Sequence, residues 1–254
     1  MSSERLMASL KNAKASSRAM ARLTHAQRKK ALLEFSRILV AESGYWMRRN
    51  ERDLRREKRG LSPSLYARLK LDQAKILDLA GGLRELAGLP DPVGLVLFRR
   101  RLAPGLILEK KTVPLGVLAI VVESRPDAFP QILGLALKSG NAVVLKGGSE
   151  ARESQRALAR MLGLLRRSCP YLPRSWVTLL ETRDAVRGLL QHPEYIDLVI
   201  PRGSNALVSH VKKVSKIPVL GHAEGVCHLY VDRDRKSTRL NSSHIQKSRM
   251  PSSA

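Results

Sequence analysis

A lysine and two glycines, Lys146, Gly147 and Gly148, follow an apolar segment of strand length in the middle of the chain. The lysine offers a cation, and the glycines let the backbone approach a ligand closely. Glu150 lies in the first turn of the predicted next helix, whose free N–H groups suit a phosphate or ribose oxygen. The chain has neither a GxGxxG pattern nor a P-loop lysine motif, so a glycine turn without a ligand stays an open alternative.

The residues around this lysine predict two consecutive strand–helix units. Residues 115–122 and 142–145 are apolar runs of strand length, and residues 128–138 between them carry apolar side chains at helical spacing. Residues 139–141, Ser-Gly-Asn, suit a helix C-cap, and Ser149 is predicted to cap the second helix. Such units predict a parallel sheet, which binds ligands at the carboxyl ends of its strands.

Later segments extend the same pattern. Further strands are predicted at residues 176–180, 196–200, 217–220 and 226–231. Gly203 and Ser204 follow the second of these strands, and Ser204 or Asn205 is predicted to start the next helix. We therefore expect an α/β fold, a Rossmann-like parallel sheet whose ligand loops lie along one edge.

Residues 4–87 predict a helical lead-in to this sheet. Thr24 to Gln27 has the spacing of a capping box, and Asp72 is a candidate N-cap. Two prolines make residues 89–94 a rigid linker, and residues 106–112 have the partial alternation of a strand. The predicted division is a helical region at 1–94 packing on the same domain, a nucleotide-binding α/β domain at 95–232, and a tail at 233–254.

The tail has a different composition from the rest of the chain. From Lys236 onward it contains six serines and no acidic residue, which predicts disorder. One interpretation is non-native sequence joined to a truncated gene; a functional basic tail is the competing interpretation.

The net charge of +24 raises the hypothesis of nucleic-acid binding. The basic residues are spread along amphipathic helices, however, and no RNA-recognition, zinc or homeodomain signature occurs, so we expect no specific nucleic-acid partner. The sequence has no apolar run of membrane-helix length and no signal-peptide core, which predicts a cytoplasmic protein without a membrane partner. Two cysteines, Cys169 and Cys227, make no disulfide framework.

Four blocks of the sequence, in the same order, resemble the γ-glutamyl phosphate reductase (glutamate-5-semialdehyde dehydrogenase) family of the aldehyde dehydrogenase superfamily. They are VPLGVLAIVVESRPD (113–127), SGNAVVLKGGSEA (139–151), IDLVIPRGSNALV (196–208) and IPVLGHAEGVCHLYVD (217–232). A weaker match extends from about Ala13 to Asp232. The resemblance implies the amino-terminal part of an aldehyde dehydrogenase fold, in a chain shorter than the family's.

The resemblance also implies a reaction and its residues. It implies NADPH-dependent reduction of L-glutamyl 5-phosphate to glutamate 5-semialdehyde, an early step of proline biosynthesis, through a cysteine thiolate that displaces phosphate. Cofactor contacts are implied for Lys146, Gly147, Gly148, Glu150, Gly203 and Ser204. Arg125, and Arg202 by weaker argument, are implied to bind the anionic substrate.

The family's nucleophile lies in a Cys-Asn segment, and no Cys-Asn pair occurs in this sequence. Cys227 matches a family cysteine that is not the nucleophile, so we interpret it as structural, and Cys169 as an incidental loop residue. His222 and His228 lack the spacing of a zinc site. We expect a fragment with little or no reductase activity and a doubtful homo-oligomeric state; a polyanion-binding protein and a non-catalytic cofactor-binding relative remain alternatives.

Overall fold

The computed structural model describes residues 3–58, 60–123 and 125–221. Its helices are α1 (Ser3–Ala21), α2 (His25–Ala41), α3 (Ser43–Glu57), α4 (Pro63–Leu69), α5 (Gln73–Gly88), α6 (Ala128–Lys138), α7 (Arg152–Ser168), α8 (Arg183–Leu189) and α9 (Asn205–Val214). Its strands are β1 (Val96–Ala103), β2 (Leu106–Lys111), β3 (Val117–Val122), β4 (Ala142–Lys146), β5 (Val177–Leu180) and β6 (Leu198–Arg202). A 3-10 turn, Ser149–Ala151, precedes α7.

Four strands form a parallel sheet in the order β5-β4-β3-β6. In the central pair, Val117 of β3 lies opposite Ala142 of β4. On the other side of β3, Leu118 lies opposite Leu198 of β6. Helices connect successive strands, as parallel pairing requires. The predicted α/β fold with a parallel sheet is confirmed.

Alternate side chains of the sheet face two separate hydrophobic cores. Leu118, Ile120 and Val122 of β3 pack into the larger core, with α2, α3, α5, α6 and α7. Val117, Ala119 and Val121 pack into the second core, with α1, α8 and α9. Because both faces of the sheet are covered, its strands are continuous apolar runs rather than alternating ones.

Helix ends predicted from local sequence are present. The Thr24 side chain accepts a hydrogen bond from the Gln27 N–H, and the Gln27 side chain accepts from the Thr24 N–H, which completes the capping box. Asp72 accepts from the Lys75 N–H at 2.9 Å. After α6, Gly140 has a φ of 71°, the left-handed conformation that favours glycine at a helix end.

Strands β1 and β2 form an antiparallel hairpin, which is a two-stranded sheet separate from the four-stranded parallel sheet. The second strand of this hairpin was predicted from the sequence, but the first was not, because the three arginines at 99–101 interrupt its apolar pattern. Both strands are largely exposed, including apolar residues such as Phe98. Because both strands are largely exposed, burial does not require apolar and polar residues to alternate along them.

The carboxyl end of β6 lies two residues later than predicted. Pro201 and Arg202 belong to the strand, opposite Val121 and Val122, rather than to the following loop. A proline is accommodated there because β6 borders the sheet, with only a single bridge between Val199 and Val219 beyond it in the described residues. The predicted strand at 217–220 is reduced to that bridge.

The predicted strand at 226–231 and the tail at 233–254 lie outside the described residues, and the predicted domain division stays a prediction. Within residues 3–58, 60–123 and 125–221, no helix is both long and apolar enough to cross a membrane.

An ion pair between a buried arginine and a partly exposed aspartate connects the start of α2 to the linker after α5. Arg28 is 2% exposed, and its Nη2 donates to both carboxylate oxygens of Asp91 at 2.7 Å. Burial opposes ionisation of Asp91, but the Val93 N–H and Arg28 outweigh it and lower the pKa of this carboxyl below its ordinary 3.8. The carboxylate therefore stabilises the folded state at neutral pH.

We expect Asp91→Asn to lower the free energy of unfolding at pH 7 by about 2 kcal/mol, because it leaves the buried guanidinium of Arg28 without a counter-charge. Since the folded-state pKa is lowered, the contribution is complete above about pH 4 and disappears as the pH falls through the lowered value. Urea unfolding of both proteins at pH 7, 5 and 3 measures the difference. Asp184→Asn, whose side chain is 90% exposed, is the control; a difference independent of pH would contradict the assignment.

Candidate functional site

The carboxyl ends of β3, β4 and β6 lie side by side at one edge of the sheet. Val121 pairs with Lys146, and Val122 pairs with Arg202. The loops that start at Glu123, Gly147 and Gly203 therefore leave the sheet next to one another, as expected from the sequence. We call this edge, with these three loops, the carboxyl edge.

Lys146 is the last residue of β4 and is partly buried. Burial lowers the pKa of its ammonium below the ordinary 10.5, and the nearby carboxylates of Glu150 and Glu123 oppose that shift. Arg183, at the start of α8, adds to the lowering. Lys146 thus lies among charged groups of both signs at the carboxyl edge.

Gly147 is required by packing rather than by an unusual backbone conformation. A Cβ atom at this position would lie 2.8 Å from Cζ of Phe129 and 2.7 Å from Oε1 of Gln155. Phe129 is fully buried in the larger core, and Gln155 Nε2 donates to the Leu180 carbonyl at 3.2 Å, so both side chains are held in place. The glycine therefore lets the backbone run directly over the core.

Gly148 is crowded by the carboxylate of Glu150, which would meet a Cβ atom built at this position. A small cavity of about 70 Å³ adjoins the turn and is lined by residues that include Gly147, Gly148, Arg152, Arg156 and Glu181. Of the predicted cofactor residues of this loop, Gly147 and Gly148 line the cavity, whereas Lys146 and Glu150 do not.

At the neighbouring corner, Glu123 contacts both predicted residues of the third loop. Its Oε2 accepts from the Ser204 N–H at 2.7 Å, and its carboxylate would meet a Cβ atom at Gly203. Ser204 is the N-cap of α9, since its Oγ accepts from the Leu207 N–H at 3.3 Å. Glu123 was not among the predicted site residues; the only signal for it in the sequence is a lone acidic residue directly after a buried strand.

The predicted capping of α7 by Ser149 is wrong. Ser149 lies in the 3-10 turn, and Ala151 precedes the helix without a side-chain cap. Asp53, on α3, accepts from the Glu153 N–H at 3.0 Å and from the Ser154 N–H at 2.8 Å instead. A carboxylate from a distant helix thus accepts hydrogen bonds from N–H groups that were predicted to be free to bind a ligand.

The two predicted substrate arginines lie at the same edge with different surroundings. Arg125 follows β3, is half exposed, and pairs with Oδ2 of Asp127 at 3.1 Å. Oδ1 of Asp127 is buried without a hydrogen-bond partner in the described structure. Arg202 ends β6 and is exposed. Both guanidinium groups are accessible to an anion.

Cys169 is fully buried at the end of α7, within the larger core. It lies in the core rather than in an incidental surface loop, and its thiol is shielded from solvent. Cys227, His222 and His228 lie outside the described residues. In the part of the chain that the structure describes, no three histidine, cysteine or acidic residues form a group that could hold a metal ion.

The chain as a whole is similar to known proteins. No protein-family model matches the chain. The γ-glutamyl phosphate reductase of Pelotomaculum thermopropionicum is 49% identical over 206 residues, which are 81% of this chain and 47% of that protein. The crystal structure of γ-glutamyl phosphate reductase from Saccharomyces cerevisiae matches with a TM-score of 0.81 at 38% identity, covering 89% of this chain and 57% of that one.

A more distant structure shows the breadth of the fold. An acetylating aldehyde dehydrogenase from Geobacillus thermoglucosidasius matches with a TM-score of 0.65 at 16% identity, covering 85% of this chain and 45% of that one. The chain spans about half the length of the curated relatives it matches. The resemblance carried by the four sequence blocks is confirmed.

Proposed function

We propose that this chain, which is homologous to γ-glutamyl phosphate reductases over about half of their length, forms the NADPH-binding part of such an enzyme. The reaction would be reduction of L-glutamyl 5-phosphate to L-glutamate 5-semialdehyde with release of phosphate, in proline biosynthesis. The observation that carries the proposal is the carboxyl edge, where Glu123, Gly147 and Gly203 start three adjacent loops and Lys146 ends β4.

The loop after β4 suits the adenosine end of the cofactor. The ammonium of Lys146 and the carboxylate of Glu150 can hydrogen-bond ribose hydroxyls, and Gly147 and Gly148 have no side chains of their own to obstruct the cofactor. Because Asp53 occupies the first amides of α7, a ribose suits this corner better than a second anion.

The loop after β6 suits the pyrophosphate or nicotinamide side. Gly203 allows close approach, and the Ser204 N–H can donate to a phosphate oxygen once Glu123 releases it. Arg125 and Arg202 supply charge-assisted hydrogen bonds for the anionic substrate. When bound, the cofactor supplies the hydride, so the role of these residues is binding and orientation.

The nucleophile is the part of the reaction that this chain does not supply. The reductase chemistry calls for a cysteine thiolate to displace phosphate, and a thiolate must be accessible and ionised. Cys169 is buried, and neither Cys169 nor Cys227 is followed by asparagine. We expect NADPH binding without turnover; phosphate-dependent NADPH formation from NADP and glutamate semialdehyde by this chain would contradict that expectation.

Lys146→Met tests the cofactor assignment. We expect it to raise the Kd for NADPH about tenfold, because it removes a charged donor from the binding edge. Fluorescence titration of wild type, Lys146→Met and the control Lys11→Met, an exposed residue of α1, measures the effect. Equal affinities would contradict the role of Lys146, and no binding by wild type would contradict the proposed function. NADH titrated in parallel determines cofactor preference.

A polyanion-binding protein is the second candidate, favoured by the net charge of +24. Titration of a nucleic acid at increasing salt distinguishes the two: charge alone gives weak binding that salt abolishes, whereas recognition gives sequence discrimination. We propose a small anionic substrate, and neither a specific nucleic-acid nor a membrane partner. A homo-oligomer stays doubtful, and the cytoplasmic location stays a prediction.

A further inference from the structure

One face of α3 consists of polar side chains that contact the first turn of α7 or the 3-10 turn before it. Its residues are the neighbours Arg49 and Asn50, then Asp53 and Arg56, each about one further turn along the helix. Asn50 and Asp53 are fully buried. We call these four residues the α3 clamp.

Asp53 accepts hydrogen bonds from backbone N–H groups in the first turn of α7. Its carboxylate accepts from the backbone N–H groups of Glu153 and Ser154 and from the Ser154 hydroxyl at 2.9 Å. A buried carboxylate requires such partners, since an unpaired buried charge is strongly unfavourable. Its negative charge also faces the positive end of the α7 dipole. Asp53 is therefore an N-cap supplied from a helix about 100 residues earlier in the chain.

Arg56 donates hydrogen bonds to backbone carbonyl groups of the 3-10 turn. Its Nη2 donates to the Ser149 carbonyl at 3.0 Å, to the Glu150 carbonyl at 3.1 Å and to Asp53 Oδ1 at 2.9 Å. The backbone of the 3-10 turn is thus fixed from outside the loop that contains it. Glu150, which carries a proposed ribose contact, lies within this fixed segment.

The other two residues anchor the clamp. Asn50 Nδ2 donates to the Leu69 carbonyl at 2.9 Å and to Ser154 Oγ at 3.0 Å, while its Oδ1 accepts from the Leu71 N–H at 2.9 Å. Arg49 forms an ion pair with Glu153. Apolar packing between α3 and α7 is not directional, whereas these hydrogen bonds specify one axial and rotational position of α7.

From this geometry we propose that the α3 clamp positions the nucleotide-binding corner. Asp53 and Arg56 are positioning residues: they hold residues 147–150 in the conformation that presents Lys146 and Glu150 to the ribose, without touching the nucleotide. This role rests on the proposed function, and it adds a regulatory dependence, because a shift of α3 would alter nucleotide affinity.

Two variants of the full chain test the proposal, each with a matched control on the same helix. Asp53→Asn keeps the shape and removes the charge, and Arg56→Gln removes the bonds to the two carbonyls while changing a side chain that is 39% exposed. The controls are Glu51→Gln and Arg55→Gln, whose side chains are 59% and 82% exposed. Hydrogen exchange over residues 147–158 without ligand, Kd for NADPH and urea unfolding are measured for each.

We expect both clamp variants to exchange the amides of residues 147–158 at least about tenfold faster than wild type and to bind NADPH about tenfold more weakly, since small displacements of contacting groups carry large penalties. Both controls should match wild type. Arg56→Lys should restore part of the affinity, because an ammonium still donates to one carbonyl.

A merely stabilising contact would give a different pattern. If the clamp variants unfold at lower urea but keep wild-type exchange over 147–158 and wild-type Kd, the positioning role is overturned while the proposed function stands. If wild type does not bind NADPH, the proposed function fails, and unchanged exchange at the corner would overturn the clamp independently.

Discussion

Phe129→Ala is expected to lower the free energy of unfolding by about 3–5 kcal/mol, the range for removing a fully buried aromatic ring from a well-packed core. Phe129 is 0% exposed and lies on α6, where its ring packs into the larger core directly beneath Gly147. The cavity would therefore open under the loop proposed to bind the cofactor. Urea unfolding monitored by circular dichroism measures the loss.

The chain offers a matched control for this substitution. Phe98 lies on the β1–β2 hairpin and is 46% exposed, so Phe98→Ala should change the unfolding free energy by less than about 1 kcal/mol. Similar losses for the two variants would show that the core does not depend on the α6 ring as the structure indicates.

Gly147→Ala should have the largest effect on cofactor binding, raising the Kd for NADPH about a hundredfold, because a displacement of about 1 Å in a binding loop has effects of this size. The added methyl group would meet the buried ring of Phe129 and the hydrogen-bonded side chain of Gln155, so we expect the backbone of this loop to shift. We also expect a loss of about 1–3 kcal/mol in unfolding free energy from overpacking. Titration with NADPH and urea unfolding measure the two effects.

Gly163→Ala is the control, because this glycine lies within α7 and no atom outside its own helix backbone lies within 4 Å of the place that an alanine methyl group would occupy. Alanine there should stabilise the helix by about 0.5–1 kcal/mol and leave the Kd unchanged. If Gly147→Ala bound NADPH like Gly163→Ala, the loop after β4 would not be the cofactor loop.

Together these substitutions separate two properties of the carboxyl edge. The backbone after β4 packs against Phe129 in the larger core, and Asp53 and Arg56 on α3 hydrogen-bond to the backbone of the 3-10 turn and of α7. The charged side chains of the carboxyl edge include Lys146 and Glu123, which interact electrostatically. Substitutions of Phe129, Asp53 or Arg56 should change the free energy of unfolding and hydrogen exchange as well as the Kd for NADPH. Substitution of Lys146 should change the Kd alone.

The sequence by itself determined the elements whose partners are local. The apolar runs of β3 and β4 are short, continuous and bounded by residues that cannot continue a buried strand, so the parallel sheet and the edge at which its strands end were predictable. The caps at Thr24 and Asp72 were predictable because donor and acceptor are three residues apart. The four matching blocks identified the related family for the same reason, since each is a contiguous stretch of sequence.

Only the tertiary structure decided which groups occupy the helix ends at the site. Ser149 has the residue type and position of an N-cap, but Asp53 takes the amides of Glu153 and Ser154, and Glu123 takes that of Ser204. Composition and periodicity report contacts within a turn or strand, whereas these partners lie about 80 to 100 residues apart and meet only after the sheet and helices have packed. A buried carboxylate binds whichever unpaired donors the completed fold brings within reach, and that choice is not encoded in either local segment.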